Sequence, residues 1–167
     1  GGLLALDYTL HKSDGINGVV AVAPAVDASG VPPLIKMIIP WLSRLMPRAF
    51  INPGLDLARI ARDADAVREY TSDPLFQTKT TPRLGAETLT AMTETRAQAG
   101  MFHLPLLILH GEADTIVQPA GSAAFFEQVG SPDKQRLTYA GSYHNLFIEP
   151  NRAQVFADIV QWLERHT

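Results

Sequence analysis

The chain has 167 residues, of which 46% are hydrophobic and 19% are charged, so it is long and apolar enough to fold around one core. Its formal net charge of −3 and its scattered basic residues offer no cationic surface for a phosphate backbone, which argues against nucleic acid as a partner. The absence of cysteine excludes disulfides, thiolate metal sites and a cysteine nucleophile.

The first predicted elements are a helix over residues 1–10 and a strand over residues 18–23. The helix has apolar residues almost all round, which is typical of a helix packed on every side. A turn at residues 13–15 precedes the β-branched run of the strand, and Pro24 ends it. Because the same alternation of helix and strand returns later in the chain, the pattern predicts an α/β fold with a parallel sheet.

Residues 27–100 interrupt this alternation with prolines and predicted helices. We interpret them as a helical cap inserted into a core that residues 1–26 and 101–167 form. Within the cap, residues 33–47 are unusually apolar but shorter than the roughly 20 apolar residues that span a bilayer. Two interpretations stay open for this stretch: a helix of the core, or a lid that presents apolar surface to a lipid or membrane.

Two carboxylates follow a second predicted strand. Residues 106–109 form a continuous apolar run, which predicts a strand buried on both faces, and residues 110–111 break it. Glu112 and Asp114 come next, at the edge where open α/β sheets hold their active sites, and a helix begins near Pro119. Either carboxylate is a candidate acid.

A histidine follows the third predicted strand, which covers residues 135–139. His144 lies in the loop after that strand, with small residues before it, and so has the access that a general base needs. For His110, at the end of the second strand, we expect a structural hydrogen bond. A last helix over residues 152–165 should cover one face of the sheet.

Several stretches together resemble the monoacylglycerol lipase branch of the α/β-hydrolases, which is often grouped with serine aminopeptidases (S33) and lysophospholipases. They are HGEADTIVQP at 110–119, GSYHNLFIEP at 141–150, SDPLF at 72–76, GSPDK at 130–134 and GGLLALDY at 1–8. The resemblance runs through the whole chain. It implies the C-terminal part of an α/β-hydrolase sheet with an inserted helical cap.

The resemblance also implies a serine ester hydrolase that works through an acyl-enzyme. Asp114 would orient His144, and His144 would act first as base and then as acid. The family nucleophile lies in a G-x-S-x-G turn whose last glycine corresponds to Gly1, so we expect the serine just upstream and the isolated chain to be inactive. Ser142, near His144, is interpreted as a turn former. No cofactor and no metal are implied.

The apolar stretch around Ile38, Trp41 and Leu42 favours an acyl chain over a peptide, so the expected substrate is a monoacylglycerol or a similar single-chain ester. We expect these three residues and Val117 to bind it. The same stretch is the candidate for peripheral contact with a membrane. No signal peptide is visible, and we expect a cytoplasmic protein, although a targeting segment could precede Gly1.

Two alternatives to the lipase interpretation stay open. One is an aminopeptidase or another hydrolase on the same core. The identity of the upstream nucleophile would distinguish these classes, since serine cleaves esters or peptides and aspartate acts on haloalkanes or epoxides. The other is a non-catalytic, truncated hydrolase-like module.

Overall fold

The sheet of the protein has three parallel strands, as seen in a computed structural model that describes residues 1–166. In chain order and in space these strands are β1 (Val19–Val22), β2 (Leu106–Gly111) and β3 (Lys134–Tyr139). The central strand β2 pairs with both neighbours, Leu106 lying opposite Val19 on one side and Lys134 on the other. The predicted parallel α/β architecture is confirmed.

Within residues 1–166, six α-helices surround or extend from this sheet. They are α1 (Gly2–His11), α2 (Pro33–Leu45), α3 (Ala64–Ser72), α4 (Pro82–Ala97), α5 (Pro119–Gln128) and α6 (Arg152–Leu163). Helices α2 to α4 lie in the connection from β1 to β2, and α5 alone connects β2 to β3. The parallel order of the strands follows from these crossover connections.

Strand β2 is buried on both faces, as its apolar run predicts. Leu106 and Ile108 belong to one core cluster, with residues of α1 and α5, whereas Leu107 and Leu109 belong to a second cluster with α6. The prediction that residues 110–111 break the strand is wrong, because both continue the pairing with β3. The strand therefore extends to the start of the acid-bearing loop.

Helix α1 packs on the core along one side only. Leu3 and Leu6 are buried, but Leu4 and Tyr8 are 67% and 57% exposed. The prediction of a helix packed on every side is therefore wrong. The physical reason is that β1 and α4 pack on one side of α1. Among the described residues, no element packs to a similar extent on its other side.

Helix α2 lies on α4 and leaves most of its apolar side chains in solvent. Ile39 is its one buried residue, and it packs near Gly85 of α4. Other apolar side chains, among them those of Trp41 and Leu45, are 66% and 76% exposed. The interpretation of this stretch as a core helix is wrong, because only one ridge of α2 contacts the protein. Within residues 1–166, no helix is long and apolar enough to cross a bilayer.

Helix α4 is the last α-helix of the connection from β1 to β2, residues 23–105, which we call the insertion. It begins after Thr81, whose hydroxyl accepts a hydrogen bond from the N–H of Leu84 at 3.1 Å, as expected for an N-cap residue. It contacts α2, and its residues Ala91 and Met92 pack against the core cluster that contains Leu106 and Ile108. The cap boundary at residue 100 remains a prediction.

Candidate active site

Asp114 and His144 meet beyond the C-terminal ends of two neighbouring strands. Asp114 lies in the loop after β2 and His144 in the loop after β3, and 2.8 Å separates His144 Nδ1 from Asp114 Oδ2. Glu112, the other candidate acid, is exposed and accepts a hydrogen bond from the hydroxyl of Thr138 at 2.8 Å. The structure thus pairs His144 with Asp114 and not with Glu112.

The main chains of the two loops lie directly against each other. The N–H of Ala113 donates to the carbonyl of Ser142 at 3.0 Å, which ties the acid loop to the histidine loop. Gly111 makes this approach feasible, because a Cβ there would overlap the carbonyl oxygens of Ser142 and Tyr143. The end of β2 therefore requires a glycine.

Asp114 is buried and accepts hydrogen bonds at both of its carboxylate oxygens. Oδ1 accepts from the N–H groups of Ile116 at 2.8 Å and Val117 at 2.9 Å, and Oδ2 faces both His144 Nδ1 and, at 3.2 Å, His110 Nε2. Burial by itself would raise the pKa of Asp114. The hydrogen bonds from His110, His144 and the Val117 N–H outweigh burial and hold that pKa well below its ordinary value. Asp114 is therefore charged at neutral pH.

His110 supports Asp114 from inside the core. Its ring is fully buried, with Nε2 also 3.0 Å from the carbonyl of Val117 and Nδ1 2.8 Å from the hydroxyl of Ser122. Because Nε2 faces only acceptors, it carries a hydrogen. The series Ser122, His110, Asp114 has the order of a catalytic triad, but all three are buried and out of reach of a substrate. The hydrogen bonds of His110 are therefore structural, as the sequence predicts.

The imidazole of His144 borders an apolar cavity of about 460 Å³, a volume within the usual range for small-molecule sites. Nδ1 is committed to Asp114, so Nε2 is the nitrogen left to react with a group in the cavity. The start of α1 also lies at this cavity. The lining residues are Gly1, Gly2, Ala5, Val20, Val22, Ala23, Leu55, Ile60, Tyr70, Phe76, Ile116, His144, Asn145 and Phe147.

The four residues that we expect to bind substrate do not line this cavity. Ile38, Trp41 and Leu42 lie on α2, while Val117 uses its N–H and carbonyl to hold Asp114 and His110. Their contact with substrate stays a prediction, and it requires a substrate that extends beyond the cavity.

Sequence reasoning missed the apolar residues that do line the cavity. Phe76 and Phe147 lie inside two of the stretches that carry the family resemblance, and this signal could have identified them. Tyr70 and Ile60 had no such signal, because their place on the wall depends on how the insertion folds back toward the sheet.

A second buried carboxylate near His144 was also missed. Glu149 is fully buried and accepts hydrogen bonds from Arg62 Nε at 2.7 Å and from the N–H of Tyr143 at 2.8 Å. Ser142 is buried in the same network and donates to Asn151 Oδ1 at 3.0 Å, which agrees with its interpretation as a turn residue.

The cluster of His110, Asp114 and His144 does not form a metal site. The imidazole nitrogens that face Asp114 donate hydrogens to its carboxylate, so neither offers a lone pair there. In the part of the chain that the structure describes, no group of three or more histidine, aspartate or glutamate side chains is arranged to hold a metal ion.

The sequence profile described as serine aminopeptidase, S33, matches residues 1–151. The chain belongs to this family. Among relatives, a monoacylglycerol lipase from Mycolicibacterium smegmatis is 30% identical over 99% of the chain, which corresponds to 60% of that protein. The resemblance to the monoacylglycerol lipase branch, inferred from the sequence motifs, is confirmed.

Two solved structures of monoacylglycerol lipases share this fold. The monoacylglycerol lipase of Paleococcus ferrophilus superposes with a TM-score of 0.94 at 34% identity, over the whole of this chain and 66% of that one. A soluble variant of the Saccharomyces cerevisiae monoglyceride lipase, in complex with a substrate analog, has a TM-score of 0.84 at 28% identity over 62% of its chain. The chain thus spans somewhat less than two thirds of the length of these relatives.

Replacement of Asp114 by asparagine tests the depressed pKa. We expect Asp114→Asn to lower the free energy of unfolding at neutral pH by about 1.5–3 kcal/mol, because a neutral amide accepts weaker hydrogen bonds. The carboxylate contributes fully to the free energy of unfolding above its unfolded pKa of about 3.9. This contribution is lost as the pH falls through the lower pKa of the folded state. The deficit of the variant should therefore shrink below about pH 4. Urea unfolding as a function of pH measures this, with Asp14→Asn in an exposed turn as control.

Addition of a methyl group at Gly111 tests the contact between the two loops. We expect Gly111→Ala to destabilise the protein by about 1–3 kcal/mol or more, since the carbonyls of Ser142 and Tyr143 must move away. The hydrogen bond between His144 and Asp114 should lengthen, which the low-field NMR signal of the Nδ1 proton reports. Gly30→Ala, where a Cβ meets nothing within 4 Å, is the matched control. A Gly111→Ala protein with unchanged stability and signal would contradict the argument.

Proposed function

We propose that the intact protein is a serine carboxylic-ester hydrolase of the monoacylglycerol lipase type, which cleaves single-chain acyl esters through an acyl-enzyme. The observation that carries this proposal is the Asp114–His144 hydrogen bond beside an apolar cavity. The family membership and the names of the relatives support the same reaction class.

In the proposed reaction, His144 Nε2 removes the proton of a serine hydroxyl, and the serine oxygen bonds to the acyl carbon. Asp114 keeps the hydrogen on Nδ1 and balances the charge of the imidazolium. His144 then gives its proton to the departing alcohol oxygen. A water molecule, activated in the same way, releases the fatty acid and restores the serine.

We place the nucleophile two positions before Gly1 in the intact protein, as the G-x-S-x-G spacing requires. The support for this position is that Gly1 and Gly2 border the same cavity as His144. Helix α1 begins there, and no side chain among the described residues caps its first N–H groups. The positive end of a helix dipole at this position would stabilise the oxyanion that forms on the acyl group.

The lining of the cavity favours an uncharged acyl ester over a peptide. An aminopeptidase has to bind the positively charged α-amino group of its substrate, which calls for a carboxylate near the reacting bond. None of the described residues that line the cavity is acidic, and most are apolar. An acyl chain matches these surroundings, whereas a free amino group would lose hydration without gaining a partner.

Loss of the imidazole should remove the activity. In the intact protein, we expect His144→Ala to lower kcat/KM for a medium-chain monoacylglycerol by about 10⁶-fold, the cost of removing the histidine of a serine triad. Glycerol release and labelling by a fluorophosphonate probe are the measurements. His11→Ala, at an exposed histidine on α1, is the matched control and should keep full activity. Hydrolysis of aminoacyl anilides but not of monoacylglycerols would refute the lipase assignment in favour of a peptidase.

We also propose that α2 contacts the surface of a membrane and that the protein works in the cytoplasm. Leu34, Met37, Trp41 and Leu45 recur every three or four positions, so they form one stripe along the helix, and each is more than half exposed. The charged residues of α2, Lys36 and Arg44, are both basic, which favours anionic lipid. Such an arrangement is typical of a helix that lies in an interface.

A single exposed aromatic tests the membrane contact. We expect Trp41→Ser to weaken binding of the intact protein to vesicles of mixed phosphatidylcholine and phosphatidylglycerol by about 10-fold, because the indole ring is lost from the interface. Met101→Ser is the control, since Met101 is equally exposed, at 66%, but lies outside α2. Sedimentation with vesicles measures both. Equal loss of binding in the two variants would argue against a specific role for α2.

A further inference from the structure

The loop that carries His144 is attached to a segment of the insertion. We call residues 140–149 the histidine loop and residues 59–62 the anchor segment, which begins at the last residue of the short 3-10 turn Leu57–Arg59. In sequence the two segments lie some eighty positions apart, and in space they are joined by hydrogen bonds from both main chain and side chains.

Glu149 is the centre of this attachment. Its carboxylate is fully buried, and Oε1 accepts from the N–H of Tyr143 at 2.8 Å and from the N–H of Arg62 at 3.2 Å. Oε2 accepts from Arg62 Nε at 2.7 Å. A buried carboxylate is tolerated only while such donors stay in place, so the position of Glu149 fixes both segments at once.

The residues on both sides of His144 are held by the anchor segment. On one side, the Tyr143 hydroxyl accepts from Arg59 Nη1 at 3.3 Å, and the Tyr143 N–H donates to Glu149, which in turn is bound by Arg62. On the other side, the N–H of Asn145 donates to the carbonyl of Ile60 at 2.7 Å. Asp114 thus holds the side chain of His144, and the anchor segment holds the residues on either side of it.

The guanidinium of Arg62 extends the attachment to Ser142 in the histidine loop and to Asn151 just after it. Nη2 donates to Asn151 Oδ1 at 3.1 Å and lies 3.4 Å from the hydroxyl of Ser142. A planar guanidinium holds several acceptors in a fixed arrangement, which a lysine ammonium in the same place would not do.

We propose that the Arg62–Glu149 pair positions His144 for catalysis by tying the histidine loop to the insertion. Both are positioning residues, because neither lines the cavity nor reaches the atoms that would react. Ile60 of the anchor segment does line the cavity, so an acyl chain bound there packs on the segment that holds the histidine. The catalytic part of this inference rests on the proposed function, whereas its structural part concerns the geometry of His144 alone.

The test uses Glu149→Gln and Arg62→Met in the intact protein. Gln has the shape of Glu but sets a neutral amide against Arg62, and Met keeps the length of Arg while losing the guanidinium. We expect kcat to fall about 10- to 100-fold in Glu149→Gln, the cost of a shift of about 1 Å in a catalytic group, with KM changed less than about twofold. Arg62→Met should act in the same direction but less strongly, because the main-chain donors to Glu149 remain.

A second measurement separates positioning from general stability. The low-field NMR signal of the His144 Nδ1 proton should shift or broaden in both variants and stay unchanged in Glu112→Gln, an exposed carboxylate at the same edge of the sheet. A folded variant with normal kcat and a normal signal would overturn the proposal. Arg62 is partly exposed, so Arg62→Met decides if Glu149→Gln does not fold. If the wild-type protein hydrolyses no ester, the proposed function fails, and the NMR signal alone then decides whether the pair positions His144.

Discussion

A carboxylate that is buried at the end of a parallel strand has to be surrounded by hydrogen-bond donors, and Asp114 meets this need with two N–H groups and two imidazoles. Each donor constrains a different part of the molecule. The N–H groups fix the turn into α5, and His110 fixes the end of β2. His144 can donate only if the loop after β3 crosses toward β2. The arrangement of the active-site edge follows from satisfying one buried charge.

Glu149 is a second buried carboxylate that requires hydrogen-bond donors around it. Asp114 holds the side chain of His144 from the core, and Glu149 holds the main chain beside it together with Arg62 of the insertion. Two buried carboxylates, one after β2 and one after β3, therefore hold the side chain of His144 and the main chain beside it. The insertion is thus part of the framework of the site as well as a wall of its cavity.

The sequence predicted those features that depend on neighbouring residues. Apolar runs located β1 and β2, and the order of acid and histidine after successive strands located Asp114 and His144. Long-range partners could not be predicted: Arg62 and Glu149 are 87 positions apart, and no local pattern says that this glutamate is buried. The apolar residues of α2 predict a helix equally well whether it packs in a core or faces solvent. Only the position of α4 decides that Ile39 is covered and Trp41 is not.

The direct contact between the acid loop and the histidine loop limits how this edge of the sheet can be altered. Because Gly111 lets the two main chains touch, neither loop can move independently near the strand ends. Extra residues added to one loop close to this contact would displace the other loop. Grafting of loops between related enzymes would have to move both segments as a matched pair. Changes in loop length are better accommodated far from this contact, in the turns of the insertion.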